Sequence, residues 1–271
     1  MTNSMMAKFR VSATRPLHLS AIATDDDLGW DKSSQKGELE KVVGEMAFEQ
    51  HRLMAEAKQS LLIVLQGRDA SGKDGLVRHV MTGMNPAGVR VTSFKVPAGI
   101  EKQHDYLWRC HDSCPARGEV GVWNRSHYED ILVPRVKNLV GEEVWKKRYR
   151  HIRDFEQMLV DEGTRVLKFY LHVSHDVQRQ RLQKRIDNPE RSWKHDPSDL
   201  SDREIWPKYE AAYEDVLRET SRPHAPWYVI PADVKWVRDL AVAKIILKTL
   251  QEMDPKVPVP SKDLKKIVVP E

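Results

Sequence analysis

Apolar positions along this chain fall into two kinds of pattern. Leu61-Leu62-Ile63-Val64-Leu65 is apolar at every position, as in a strand buried on both faces. Val89–Lys95, Glu119–Trp123, Arg165–Val173 and Trp227–Ile230 also read as strands, the first of them ended by Pro97. Between the strands, apolar residues recur at helical spacing. Leu39, Val42, Val43, Met46, Leu53 and Met54 mark a helix over 38–58, and further helices are predicted at about 73–83, 127–138, 142–161, 175–187, 202–220 and 235–252. Strands alternating with helices predict an α/β fold: a mostly parallel, five-stranded sheet with helices on both faces. Residues 1–37 are polar and carry Asp25-Asp26-Asp27, so an arm or loose lead-in is expected there. Residues 253–271, rich in Pro and Lys, are expected to form a surface tail, which leaves 38–252 as one domain.

Composition narrows the function classes only a little. The 271 residues are 40% hydrophobic and 31% charged, ordinary for a soluble protein with a core. No apolar run approaches the length of a bilayer span, and the first residues lack the apolar core of a secretion signal, so a cytoplasmic protein without membrane contact is expected. Cys110 and Cys114 flank His111 with no further ligands at metal-site spacing, and read as two free thiols. The net charge of +4 is too small to argue for nucleic acid. Two basic runs matter more: Lys146–Arg153, and Arg179–Lys194 with six basic residues against Asp187 and Glu190.

The chemistry concentrates at Gly67-Arg-Asp-Ala-Ser-Gly-Lys-Asp74, between the first strand and a predicted helix. Gly67, Gly72 and Lys73 fit the phosphate-loop pattern, in which glycines let the backbone curl so that N–H groups point at phosphate oxygens. The helix N-terminus adds partial positive charge, and Lys73 reaches the transferring phosphoryl group. Gly67, Ala70, Ser71 and Gly72 are therefore candidate phosphate-binding positions. Two acids depart from the pattern. Asp74 stands where Ser or Thr usually holds magnesium; it is either a metal ligand or a first-turn acid that suits the helix dipole. Asp69 lies inside the loop, where a bare carboxylate repels phosphate. It implies a magnesium ion at the loop or a group that orients an acceptor phosphate; an Asx turn is the plain alternative.

The third predicted strand ends in Trp123-Asn124-Arg125-Ser126-His127-Tyr128-Glu129-Asp130, and ligands of doubly wound sheets sit at such ends. Arg125 is placed to stabilise phosphoryl charge. Asn124 occupies the usual place of an acidic magnesium partner, with Glu129 and Asp130 nearby to make up the charge. Arg181, Lys184 and Arg185 lie three to four residues apart on one predicted helix, where like charges repel. A docked polyanion would relieve that repulsion, and the segment at about 175–200 reads as a lid that closes over phosphates.

The ordered set Gly67-Arg-Asp-Ala-Ser-Gly-Lys-Asp-Gly75, Arg78–Pro86, Ser93-Phe-Lys95-Val-Pro97, His104–Arg109, Asn124–Glu129, Arg181–Arg185, Tyr209–Tyr213 and Ala225–Asp233 resembles the polyphosphate kinase 2 family, and within it the branch called class III. The resemblance spans about residues 40–250. It implies a thymidylate-kinase-like, three-layer α/β/α P-loop kinase with a helical lid. The implied activity is reversible, magnesium-dependent (or manganese-dependent) phosphoryl transfer between inorganic polyphosphate and AMP or ADP by a dimeric or tetrameric enzyme. It also implies that Asp69 orients the nucleotide's terminal phosphate directly or through magnesium, that Lys73 binds phosphate, and that Arg125 and Arg185 act on the transferring group. Lys95 falls in a matching segment and is a candidate substrate contact. Asn124 and Glu129 match class III, whereas Arg68, Ser71 and His127 depart from the usual Met, Ala or Gly, and aromatic residues. Polyphosphate carries about one negative charge per unit, so a basic channel binds it by counterion release, and both basic runs are candidates to line one.

An ordinary nucleotide or small-molecule kinase that uses ATP as donor would share the loop, lid and fold. A regulatory nucleotide-binding protein would need neither Asp69 nor the lid arginines. A nucleic-acid-binding module has only the basic runs in its favour.

Overall fold

Successive side chains of a strand point to opposite faces, and the central strand shows why every one of its positions is apolar. Leu61, Ile63 and Leu65 enter one buried cluster, whereas Leu62 and Val64 enter another. The computed structural model describes residues 2–35, 37–260, 267, 269 and 270. In chain order the elements are α1 (Thr2–Phe9), α2 (Glu38–Glu56), β1 (Ser60–Gln66), α3 (Lys73–Val80), β2 (Val89–Ser93), α4 (Trp108–Asp112), β3 (Val120–Asn124), α5 (Glu129–Val136), α6 (Glu142–Asp161), β4 (Thr164–His172), α7 (His175–Ile186), α8 (Pro197–Glu204), α9 (Trp206–Thr220), β5 (Trp227–Pro231) and α10 (Lys235–Met253).

All five strands are parallel, in the order β2-β3-β1-β4-β5. One face carries α1, α2, α3 and α10, whose Met5, Val42, Met46, Leu76 and Ile246 pack against Ile63, Val122 and Phe169. The other carries α5, α6 and α9, whose Ile131, Ile152, Phe155 and Val216 pack against Val64, Trp123 and Val166. This is the three-layer α/β/α arrangement. Lys168 interrupts the apolar run of β4 on this second face, and it is fully buried against Glu156 of α6. Among the described residues no helix is long and apolar enough to cross a membrane.

Three local readings need correction. The described part of the expected arm or loose lead-in is held to the core: α1 buries Met5 and Phe9, the Val11 amide donates to the Trp227 carbonyl, and Leu19 is 1% exposed. Burial of those few apolar side chains ties down a segment that looks polar on average. The helix expected at 202–220 is two helices. Asp196 caps α8 ahead of Pro197, and Pro207 opens α9, because proline fits only the first turn of a helix. Of the expected tail 253–271, Met253 closes α10, while residues 261–266, 268 and 271 lie outside the described residues.

Candidate active site

The residues Gly67–Gly72 leave the C-terminal end of β1 and turn into α3. Glycine is required twice. A Cβ at Gly67 (φ 153°) would lie 2.9 Å from the Leu171 carbonyl oxygen, and one at Gly72 (φ 104°) would lie 1.9 Å from the Arg238 guanidinium. Ala70 adopts a left-handed φ of 58° without being glycine, a local cost the surroundings must offset. Lys73 is buried and folds back, its Nζ donating to the Gly67 carbonyl at 2.6 Å and to the Arg68 carbonyl at 3.3 Å. Burial lowers the Lys73 pKa, and Arg125 adds to that; Asp69, Glu129 and Asp74 pull it back up.

Arg125 follows β3 in the left-handed region (φ 63°), with its amide bonded to the Leu65 carbonyl at 3.0 Å. This unusual backbone aims its guanidinium at the loop, where it donates to Asp69 Oδ1 at 2.6 Å. Burial raises the Asp69 pKa, but Lys73 and Arg125 outweigh it and hold the carboxyl below its ordinary range. Glu129, at the start of α5, has its pKa raised by burial against the opposing pull of Arg125 and Lys73. Asp69, Lys73, Arg125 and Glu129 thus form one cluster of alternating charge.

Asp74 points elsewhere. Its Oδ1 accepts from Asn124 at 2.8 Å and its Oδ2 from Lys194 at 3.0 Å. Asn124 is therefore a partner of Asp74, and Lys194 brings charge from the lid segment to the loop. Lys95 is exposed just past β2, at the same sheet end as Asn124, whose register partner is Ser93.

The lid residues separate. Arg185 pairs with Asp199 at 2.9 Å, and Asp199 lies beside Asp69 and feels its charge. Burial first, then the Asp69 charge, push the Asp199 pKa up to about 6, against the pull of Arg185. Lys184 is exposed on α7 and adds to a positive field, shared with Arg181, Arg238 and Arg191, that lowers the Lys235 pKa after burial. Arg181 does not stand free on the lid: its guanidinium donates to the backbone carbonyls of Ala70, Ser71, Ala232 and Asp233. Half of the earlier basic run is also committed. Lys146 pairs with Glu142, Arg148 donates to the Asp130 carbonyl, and Arg153 donates to the Glu219 carbonyl at 3.0 Å.

Sequence reasoning missed four contributors. Arg68 lies 4.1 Å and 4.6 Å over the rings of Trp206 and Tyr209 and donates to the Asp202 carbonyl at 3.0 Å, which joins the loop to α8 and α9. Gln178, Asp199 and Arg238 also reach the loop or its acid. No spacing rule marks them, because they come from separate elements. The break of pattern at Arg68 was one signal.

A magnesium ion takes oxygen ligands and is usually held by one or two carboxylates plus phosphate oxygens. Asp69 and Asp199 bring two carboxylates together and fit that share. Asp74 fits less well, since both its oxygens are taken and one faces an ammonium. Among the described residues no group of three or more acidic, His or Cys side chains gathers into a protein-only cage.

A family model described as polyphosphate kinase 2 matches residues 29–258. An AMP/ADP-polyphosphate phosphotransferase of Meiothermus ruber is 49% identical over 266 residues, covering 97% of this chain and 100% of its own. An ADP-polyphosphate phosphotransferase of Rhodopseudomonas palustris is 40% identical, covering 91% and 90%. The crystal structure of polyphosphate kinase 2 from Arthrobacter aurescens TC1 superposes with a TM-score of 0.92 at 36% identity, over 96% of this chain and 94% of that one.

Proposed function

The chain belongs to the polyphosphate kinase 2 family, and from that premise we propose that it transfers phosphoryl groups from inorganic polyphosphate to AMP and ADP. A terminal phosphate oxygen of the nucleotide attacks the last phosphorus of the chain. The bridging P–O bond breaks, and the polyphosphate leaves one unit shorter.

The observation that carries this reading is the Asp69–Arg125 bond inside the phosphate loop. A loop that only cradles phosphate has no use for a carboxylate, since it repels the ligand. Here Lys73 and Arg125 keep Asp69 ionised beside the phosphate-binding amides. An ionised carboxylate at that point suits two polyanions that must meet end to end, because it orients the acceptor while the two cations stabilise the charge of the group in flight. Arg185, held to the site through Asp199, supplies positive charge from the lid side. Magnesium, held by Asp69 and Asp199 together with phosphate oxygens, would neutralise further oxygen charge when bound. The positive field around Lys184, Arg191 and Lys235 gives a polyphosphate chain a path away from the loop.

The test is incubation of the purified protein with magnesium, long-chain polyphosphate and either AMP or ADP, without ATP. ADP is expected from AMP, and ATP from either acceptor. No product with either acceptor, together with transfer from ATP to another acceptor, would replace this reading with that of an ATP-dependent kinase.

A further inference from the structure

Three consecutive carbonyls of the phosphate loop accept hydrogen bonds from side chains outside it. Gln178 of α7 donates to the Asp69 carbonyl at 3.1 Å. Arg181, one turn on, donates to the Ala70 and Ser71 carbonyls at 3.1 Å each. Arg238 of α10 donates to the Ser71 carbonyl at 3.2 Å from the other side. The second arm of the Arg181 guanidinium holds the Ala232 and Asp233 carbonyls, at 2.7 Å and 2.9 Å, where β5 turns into α10.

We infer that Arg181 and Arg238, helped by Gln178, are positioning residues that hold the phosphate loop in its anion-binding conformation. This rests on the proposed function for the reaction it serves, but its geometry stands on its own. A peptide unit is planar and trans, so fixing a carbonyl fixes the following N–H on the opposite side. Holding the carbonyls of 69, 70 and 71 toward α7 and α10 turns the amides of 70, 71 and 72 away from those helices. The Ser71 amide bonds back to the Arg68 carbonyl at 3.1 Å, and among the described residues the amides of Ala70 and Gly72 have no backbone acceptor.

The clamp also explains features the reaction does not require. Arg238 is 1% exposed and lies against Gly72, so that no side chain fits at that position. Its Nε and Nη2 both donate to Asp239 Oδ1, at 2.8 Å and 2.6 Å, and Asp239 Oδ2 meets His79 Nδ1 of α3 at 2.9 Å. The guanidinium cannot swing away without breaking that chain, which ties the C-terminal part of the loop and the following helix α3 to α10. Arg181 has all its loop-facing donors on backbone, so the first turns of α7 belong to the rigid frame.

The test pairs hydrogen exchange of the amides of residues 69–73 with steady-state kinetics on Arg181→Met, Arg181→Lys and Arg238→Lys, each checked by circular dichroism and melting temperature. For folded Arg181→Met, exchange at 70–72 should quicken at least about tenfold, and kcat at saturating substrates should fall by about a hundredfold, the scale of an ångström-sized misplacement. Arg181→Lys should recover part of both, because an ammonium still donates to some of the same carbonyls. If Arg238→Lys does not fold, the partly exposed Arg181 carries the test. Wild-type exchange at 70–72 in Arg181→Met, with a loss confined to the KM for polyphosphate and removed by salt, would overturn the inference and put Arg181 on the polyanion. Exchange needs no substrate, so that arm decides on the clamp even if the polyphosphate reading failed.

Discussion

Asn124 donates its side-chain amide to Asp74 Oδ1 at 2.8 Å, while Lys194 occupies the other oxygen at 3.0 Å. A neutral residue at the end of β3 thus lets an acid at the start of α3 stand without repulsion. Asn124→Asp would set two carboxylates against each other. With chelator present, the variant should lose about 1 kcal/mol, the Coulomb energy of two exposed charges at contact. That corresponds to ~2–4 °C in melting temperature for a domain of this size. Magnesium should restore the variant and move the wild type less. Equal melting curves with and without magnesium in both proteins would show that the pair does not attract a cation.

Asp69 is predicted to be indispensable for transfer. Asp69→Asn keeps the shape and leaves Arg125 a weaker acceptor, so the fold should persist while turnover drops at least about a hundredfold, as when a preorganised charge is removed. The measurement is polyphosphate-driven ATP formation beside a circular dichroism spectrum. Wild-type rates in the variant would reduce Asp69 to a turn residue.

His127 is predicted to make the protein sensitive to acid. Its ring is fully buried among Trp123, Tyr128 and Phe155, and neither nitrogen has a hydrogen-bond partner among the described residues. Burial, reinforced by the Lys168 charge, lowers its pKa well below the ordinary 6.5, although Glu156 lies 3.6 Å away. The sign follows: below pH 6.5 the unfolded chain takes up a proton that the folded one refuses. Stability should therefore fall as pH drops through that range, by up to about 1.4 kcal/mol per pH unit from this one group. His127→Phe should flatten the slope between pH 6.5 and 5. Denaturant unfolding at several pH values gives the comparison, and identical slopes would contradict the assignment.

Lys168 and Glu156 form a buried pair at 2.5 Å, and Lys168 also donates to Tyr128 Oη at 3.0 Å and the Thr220 carbonyl at 2.8 Å. Lys168→Met strands the Glu156 carboxyl in the core and should cost about 3–5 kcal/mol. Lys168→Met combined with Glu156→Leu should recover much of that loss, since the uncompensated charge is gone. Chemical denaturation of both variants decides it; a double variant no more stable than the single one would mean the network holds the sheet to α6 in another way.

The central strand, the phosphate loop and the alternation of strands and helices were legible because each depends on short-range pattern. A run of five apolar residues followed by Gly67, Gly72 and Lys73 has few other uses. The break between α8 and α9 was legible in principle from Pro207 but was hidden by continuous helical spacing on either side. The bonding of Arg181 was not legible for a physical reason. An arginine on an amphipathic lid and an arginine bonded to four carbonyls have the same local sequence, and only the return of β5 and α10 beside the loop tells them apart.

By itself, the sequence determined that this chain builds a parallel sheet with a phosphate loop at its centre and that two acids, Asp69 and Asp74, sit where phosphate enzymes rarely keep them. The tertiary structure decided what surrounds those acids. It gave Asp69 the Arg125 guanidinium and the Asp199 carboxyl, and it gave Asp74 the side chains of Asn124 and Lys194. The partners lie 50 to 130 residues away in sequence, and a charge's behaviour is set by what surrounds it within a few ångströms, which no local pattern encodes.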